Sequence, residues 1–117
     1  MGVLKYSINL SDHLLNSTKE LAEIENFVSQ IRAPMCPGYV SEKYPVNQKI
    51  LNAMFRHKMH GEWGWEKDPL VDPTLGKGVE GDFAKKLDSG LNVFVEVEFG
   101  NVASIFRDLY KFIYIIK

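Results

Sequence analysis

Residues 81–101 read "GDFAKKLDSGLNVFVEVEFGN", and the pairing of this stretch decides the fold. Two apolar runs flank the tripeptide Asp88-Ser89-Gly90, and Glu96 and Glu98 interrupt the valines and phenylalanines of the second run. Successive side chains of a strand point to opposite faces, so Val93, Val95, Val97 and Phe99 share one face while Phe94, Glu96 and Glu98 share the other. The pattern predicts strands over 80–87 and 91–99, joined by a three-residue connection in which Gly90 takes the left-handed position of a type I turn with a bulge. If Leu87 opposes Leu91, then Asp82 opposes Glu96, and opposed residues share a face. A two-residue Ser89-Gly90 turn would shift the pairing by one and turn Asp82 to the other face.

In the first register three acids converge: Asp82, Glu96 and Glu98. Glu96 and Glu98 stand about 6.5 Å apart along a strand and, at an effective dielectric near 20, repel by roughly 2.5 kcal/mol. Solvent or a cation has to offset this. Hard divalent ions such as Mg²⁺ are typically held by one or two carboxylates together with phosphate oxygens and water, which is a demand this set meets. From spacing alone an acidic hairpin with a wet face is the plainer reading, because antiparallel strands often carry Glu toward water.

Outward from the hairpin, "LKYSINL" (4–10) alternates as a short strand or extended arm does. Ser17 and Glu20 make a capping-box pair, and Leu21, Ile24, Phe27, Val28 and Ile31 recur at helical spacing, which predicts a helix over 18–31. Pro34, Pro37 and Gly38 end it. A second helix is expected after an Asn47 cap, with Ile50, Leu51, Met54 and Phe55 buried and Gly61 as terminator. Trp63 and Trp65 then flank a brief strand, with core packing the expected use of both rings. Two Asp-Pro pairs and two glycines make 67–79 a loop. Asn101 caps a last helix whose broad apolar face (Val102, Ile105, Phe106, Leu109, Phe112, Ile113, Ile116) is expected to pack between layers or against a partner.

A chain of 117 residues builds one core, so the sequence reads as a single domain, 1–117. No apolar run approaches the length of a membrane span and no leader-like segment opens the chain, so a cytoplasmic protein without membrane attachment is expected. The lone Cys36 excludes an internal disulfide. A net charge of −1 gives no global basic footprint, but Lys49, Arg56, His57, Lys58 and His60 cluster, as do Lys77, Lys85 and Lys86. The second group supplies candidate DNA contacts; a solvated face is the plainer reading of either.

The quoted hairpin, followed by "RDLYKF" (107–112), resembles the active-site hairpin and next helix of type II restriction endonucleases of the BglII/BstYI-like group in the PD-(D/E)xK nuclease superfamily. The superfamily pattern is an Asp opening one strand and Glu-x-Lys on the next, and in this group Gln or Glu replaces the Lys. Asp82 matches the Asp, Glu96 the first Glu and Glu98 the variable third position. "KYSINLSDHLLNS" (5–17) is also similar to the start of such enzymes, and the likeness is weakest over 33–45.

The resemblance implies an α/β restriction-endonuclease-like core, with a mixed sheet flanked by helices, in a homodimer that cleaves duplex DNA at a short palindrome with Mg²⁺ and leaves 5′-phosphates. It also implies a cognate DNA methyltransferase in the same system. Asp82 and Glu96 would hold the metal, and Glu98 would orient the attacking water or complete a second metal site. Glu98 cannot supply the positive charge of a Lys, so metal dependence is expected to be strict. Family members continue past the helix that follows the acidic strand, so the core is expected to be incomplete at the C-terminus, with "FIYIIK" uncovered. The competing expectations are a catalytically silent remnant and a non-catalytic protein-interaction module.

Overall fold

The acidic hairpin folds in the register that brings Asp82 opposite Glu96. In the computed structural model, Phe83 pairs with Val95, Ala84 with Phe94, Lys85 with Val93 and Lys86 with Asn92. The closing contacts are Leu87 N–H to Leu91 O (2.8 Å) and Gly90 N–H to Leu87 O (2.9 Å), with Gly90 at φ +90°. Only a residue without a Cβ takes that conformation at little cost, so Gly90 sets the three-residue turn and the turn sets the register.

The structure describes residues 16–32, 48–72, 74–75, 79–98 and 102–116. The expected N-terminal strand, Cys36, the Asn47 and Asn101 caps, Phe99 and Lys77 lie outside them. The chain divides into two compact units, Met1–Asn47 and Gln48–Lys117.

In the first unit, α1 spans Lys19–Gln30. Its cap is Thr18 rather than Ser17. Thr18 is extended (φ −82°, ψ 139°), and its hydroxyl accepts from Leu21 N–H at 3.3 Å, three residues on. The helix begins one residue later than the capping box predicts, and Glu20 falls in its first turn, where the helix dipole favours an acid. Ile31, just past the end, is buried.

The second unit opens with α2, Gln48–Phe55, which runs on as a π-helical segment, Arg56–Glu62. Leu51, Phe55 and Met59 fall on one stripe and are its buried residues, whereas Ile50, expected inside, is 45% exposed. Gly61 does not terminate the helix. The chain continues through it to Trp63, whose N–H reaches back five residues to Lys58 O (3.1 Å), and Gly64 (φ +71°) makes the turn away. The wider winding lets Trp65 N–H bond Met59 O (2.9 Å) while the His60 Nδ1–H donates to Trp65 O (2.7 Å). Trp65 is thereby seated in the core, 1% exposed.

Strand β1 is short, Glu66–Lys67, and leads from Trp65 to the sheet edge. It pairs antiparallel with β2 (Phe83–Lys86), which pairs antiparallel with β3 (Asn92–Val95), in the order β1-β2-β3. The loop between β1 and β2 is tied down by Asp68 N–H to Asp82 O (3.1 Å) and Gly81 N–H to Pro69 O (2.9 Å). Phe83, Ala84, Leu87 and Val71 join Trp65, Met59, Phe55 and Leu51 in the core. Each of the larger side chains contributes about 1.5–3 kcal/mol by leaving water. The fold is mixed α/β, consistent with a restriction-endonuclease-like core, and the sheet among the described residues is antiparallel.

The last helix, α3, spans Val102–Ile116, and of the two settings expected for its apolar face the described residues do not show packing between layers. Its buried positions are Asp108 and Lys111, while Ile105, Phe106, Leu109, Tyr110 and Ile113 are exposed. The apolar stripe does exist, but it points away from the hairpin.

Candidate active site

Asp82 ends the loop before β2 and is oriented by the opposite strand: its Oδ2 accepts from Val97 N–H at 2.7 Å. Glu96 follows β3 directly and, by the ladder, stands across from Asp82. The carboxylate of Glu96 is nearly buried, with 8% of its side chain exposed, and its Oε2 accepts from Lys111 Nζ of α3 at 3.2 Å. Gly81 leaves room for the other oxygen, since a Cβ there would lie 3.0 Å from Glu96 Oε1. Glu98 turns to the same helix and pairs with Arg107 Nη2 at 3.7 Å.

The helix supplies a fourth acid. Asp108 Oδ1 lies 3.4 Å from Lys111 Nζ and 3.6 Å from Arg107 Nε. Those are ion-pair distances without hydrogen-bond geometry, and this buried oxygen has no hydrogen-bond partner among the described residues. Three carboxylates, Glu96, Glu98 and Asp108, thus meet two cations, Arg107 and Lys111, while Asp82 is held by a backbone N–H. The consequence is visible at Glu96. Burial pushes its pKa up, Lys111 pulls it down, and Asp82 and Asp108 push it up again, with a net rise. A carboxylate that touches an ammonium and still titrates high is one whose burial outweighs its partner.

The closeness of Asp82 to Glu96 and the oxygen chemistry of the donors suit a hard divalent ion. No three acidic, histidine or cysteine side chains among the described residues are close enough together to cage a metal by themselves. The sequence-predicted trio is accordingly distributed: Asp82 takes the Val97 N–H, Glu96 pairs with Lys111, and Glu98 leans on Arg107.

Next to Asp82 lies a cleft of about 170 Å³ lined by Asn52, Phe55, Arg56, Asp82, Phe83 and Val97. Arg56 reaches its rim while gripping Asp68 through two contacts, 2.9 and 3.4 Å. Of the candidate DNA-contacting lysines, Lys86 is exposed and, by strand alternation, shares the hairpin face of Asp82. Lys85 points to the other face and lies 5.8 Å from the centroid of the buried Trp65 ring. Sequence reasoning missed Asp108 and Lys111. Both stand in the "RDLYKF" stretch quoted for the resemblance, and three residues apart on a helix they share a face.

An antiparallel acidic hairpin backed by a helix, within a mixed α/β fold, is consistent with the restriction-endonuclease-like class. The sequence model of the restriction endonuclease BglII/BglIII family matches residues 3–117, and the chain belongs to that family. No curated protein and no solved structure matches the chain. Its class is therefore that of nucleases acting on DNA. None of the described helices is long and apolar enough to cross a membrane.

Proposed function

We propose that this chain is a Mg²⁺-dependent type II endonuclease that hydrolyses both strands of duplex DNA at a short palindromic site. The carrying observation is the register that, continued one pair beyond Phe83–Val95, sets Asp82 opposite the nearly buried carboxylate of Glu96. Asp82 and Glu96 are the proposed metal ligands, and the bound ion would stabilise charge developing on the scissile phosphate and lower the pKa of a bound water. Asp82 is preset for this by its bond from Val97 N–H, which fixes the carboxylate before any ligand arrives. Glu98, braced by Arg107, is placed to orient the attacking water or to accept its proton. Lys86 on the hairpin face, with Lys77 and Lys85, is the proposed source of phosphate contacts.

Two antiparallel strands related by a twofold axis call for two copies of a chain with one such site. The exposed stripe Ile105, Phe106, Leu109, Tyr110 and Ile113 on α3 is the surface we assign to the second copy. A methyltransferase of matching specificity is the expected companion, and the cytoplasm the expected compartment.

The test is incubation of the purified protein with long duplex DNA, in Mg²⁺ and in chelator, beside Asp82→Ala and Glu96→Ala. Discrete fragments that need Mg²⁺ and vanish in both variants are expected. Intact DNA from folded protein under every condition would sink the reading and leave a silent remnant as the better account.

A further inference from the structure

Lys111 is the most conspicuous side chain that the proposed chemistry does not yet use. It is an ammonium with 10% of its side chain exposed, 3.2 Å from Glu96 Oε2 and 3.4 Å from Asp108 Oδ1. Burying it cost side-chain entropy and hydration, and the same helix had apolar residues to put there instead. A purely structural helix would have turned Leu109 or Ile113 inward. The sequence turns a cation inward, against the carboxylate proposed to hold the metal.

We propose that Lys111 is the displaceable counter-ion of this active site: it occupies Glu96 Oε2 while no metal is bound, yields that oxygen to a divalent ion, and turns its ammonium outward toward a DNA phosphate. The inference rests on the endonuclease reading for its phosphate and on the described geometry for its displacement. Asp108 provides the means. It is 91% buried by side chain, and its Oδ1 lies within ion-pair range of Lys111 without a hydrogen bond, so it steadies the ammonium without holding it in one place. Arg107, pairing with Glu98 and Asp108 from an exposed position, is the only other described cation in ion-pair contact with these acids.

Displacement makes a prediction that a structural salt bridge does not. Removing the ammonium removes a competitor for Glu96, so Lys111→Gln binds Mn²⁺ more tightly than wild type, on the order of tenfold, in titrations of DNA-free protein. The same variant cuts DNA more slowly, by about 10²–10³-fold, the loss typical of one transition-state charge partner. Lys111→Arg, which keeps the charge, holds wild-type Mn²⁺ affinity. Unchanged or weaker Mn²⁺ binding by a folded Lys111→Gln overturns the inference.

A second measurement needs no variant. Amine acylation of wild-type protein, read by mass spectrometry, should find Lys111 protected in chelator and labelled at saturating Mn²⁺, with Lys58 labelled equally in both. Protection of Lys111 unchanged by metal, or failure of the wild type to bind Mn²⁺ at all, overturns the inference whether or not Lys111→Gln folds. Metal-driven labelling without any DNA cleavage would instead uphold the counter-ion and remove the endonuclease reading.

Discussion

Two Lys–Glu pairs in the same unit behave in opposite ways. Lys58 and Glu62, four residues apart on the π-helical segment, meet at 2.6 Å on the surface, and Glu62 titrates below its usual value, chiefly because of its hydrogen bond from Lys58. Lys111 and Glu96 meet at 3.2 Å with both side chains nearly buried, and Glu96 titrates above its usual value, chiefly because burial penalises its charge. The pairing chemistry is the same and the surroundings decide the sign. At the surface, water carries away the cost of ionisation and a partner only adds. In the pocket, one ammonium cannot outweigh desolvation and two further carboxylates. The first pair decorates a helix; the second marks a place where the fold holds charge that it has not neutralised.

The comparison is most severely strained by deleting the buried cation. Lys111→Ala leaves Glu96, Asp108 and Asp82 facing one another, and loss of one partner of a buried pair typically costs about 3–5 kcal/mol. Urea unfolding should show that loss, and Mg²⁺ should restore a substantial part of it in the variant, because a divalent ion answers the same charge. A loss below about 1 kcal/mol would mean that the pocket is as well hydrated as the surface pair.

Gly81→Ala probes the same pocket from the other side. Its backbone has no positive φ, so the only obstacle is space: the new methyl meets Glu96 Oε1 at 3.0 Å. Overpacking of this kind costs about 1–3 kcal/mol, and it should depress Mg²⁺-dependent cleavage beyond the loss in stability by shifting Glu96. Thermal melts and cleavage rates on one preparation separate the two effects.

How much of this was legible beforehand differs by element. The hairpin register followed from a local rule, since Gly90 is placed to close a three-residue turn and the turn counts Asp82 opposite Glu96. The buried stripe of α2 followed from helical spacing in the same way, except at Ile50, which is exposed, and Met54, which is half-buried. The π-helical continuation did not, because Gly61 is an ordinary stop signal and the wider turn depends on how Trp65 and His60 close behind it. The facing of α3 was also hidden. Periodicity identifies an apolar stripe, but not the demand for cations that the acidic hairpin imposes on whichever helix covers it. Hence Asp82, Glu96 and Glu98 were visible in the sequence, and Asp108 and Lys111 were not.

The smallest expected effect is the most direct check on the opposed signs. Glu96 has its folded pKa raised above 4.5, so its favourable contribution is fully present below the unfolded value and lost as pH rises through the folded one. Wild type should therefore lose stability relative to Glu96→Gln as pH climbs from 4.5. Glu62 has its folded pKa lowered, so its contribution is present above 4.5 and lost as pH falls through the folded value. Relative to Glu62→Gln, wild type should lose stability as pH drops, and only slightly, since that pair is in water. Melting temperatures of the three proteins across pH 3–8 would then diverge in opposite directions from a common origin. Parallel profiles would mean that Glu96 is as well solvated as Glu62, and the case for a charge-strained metal site would go with it.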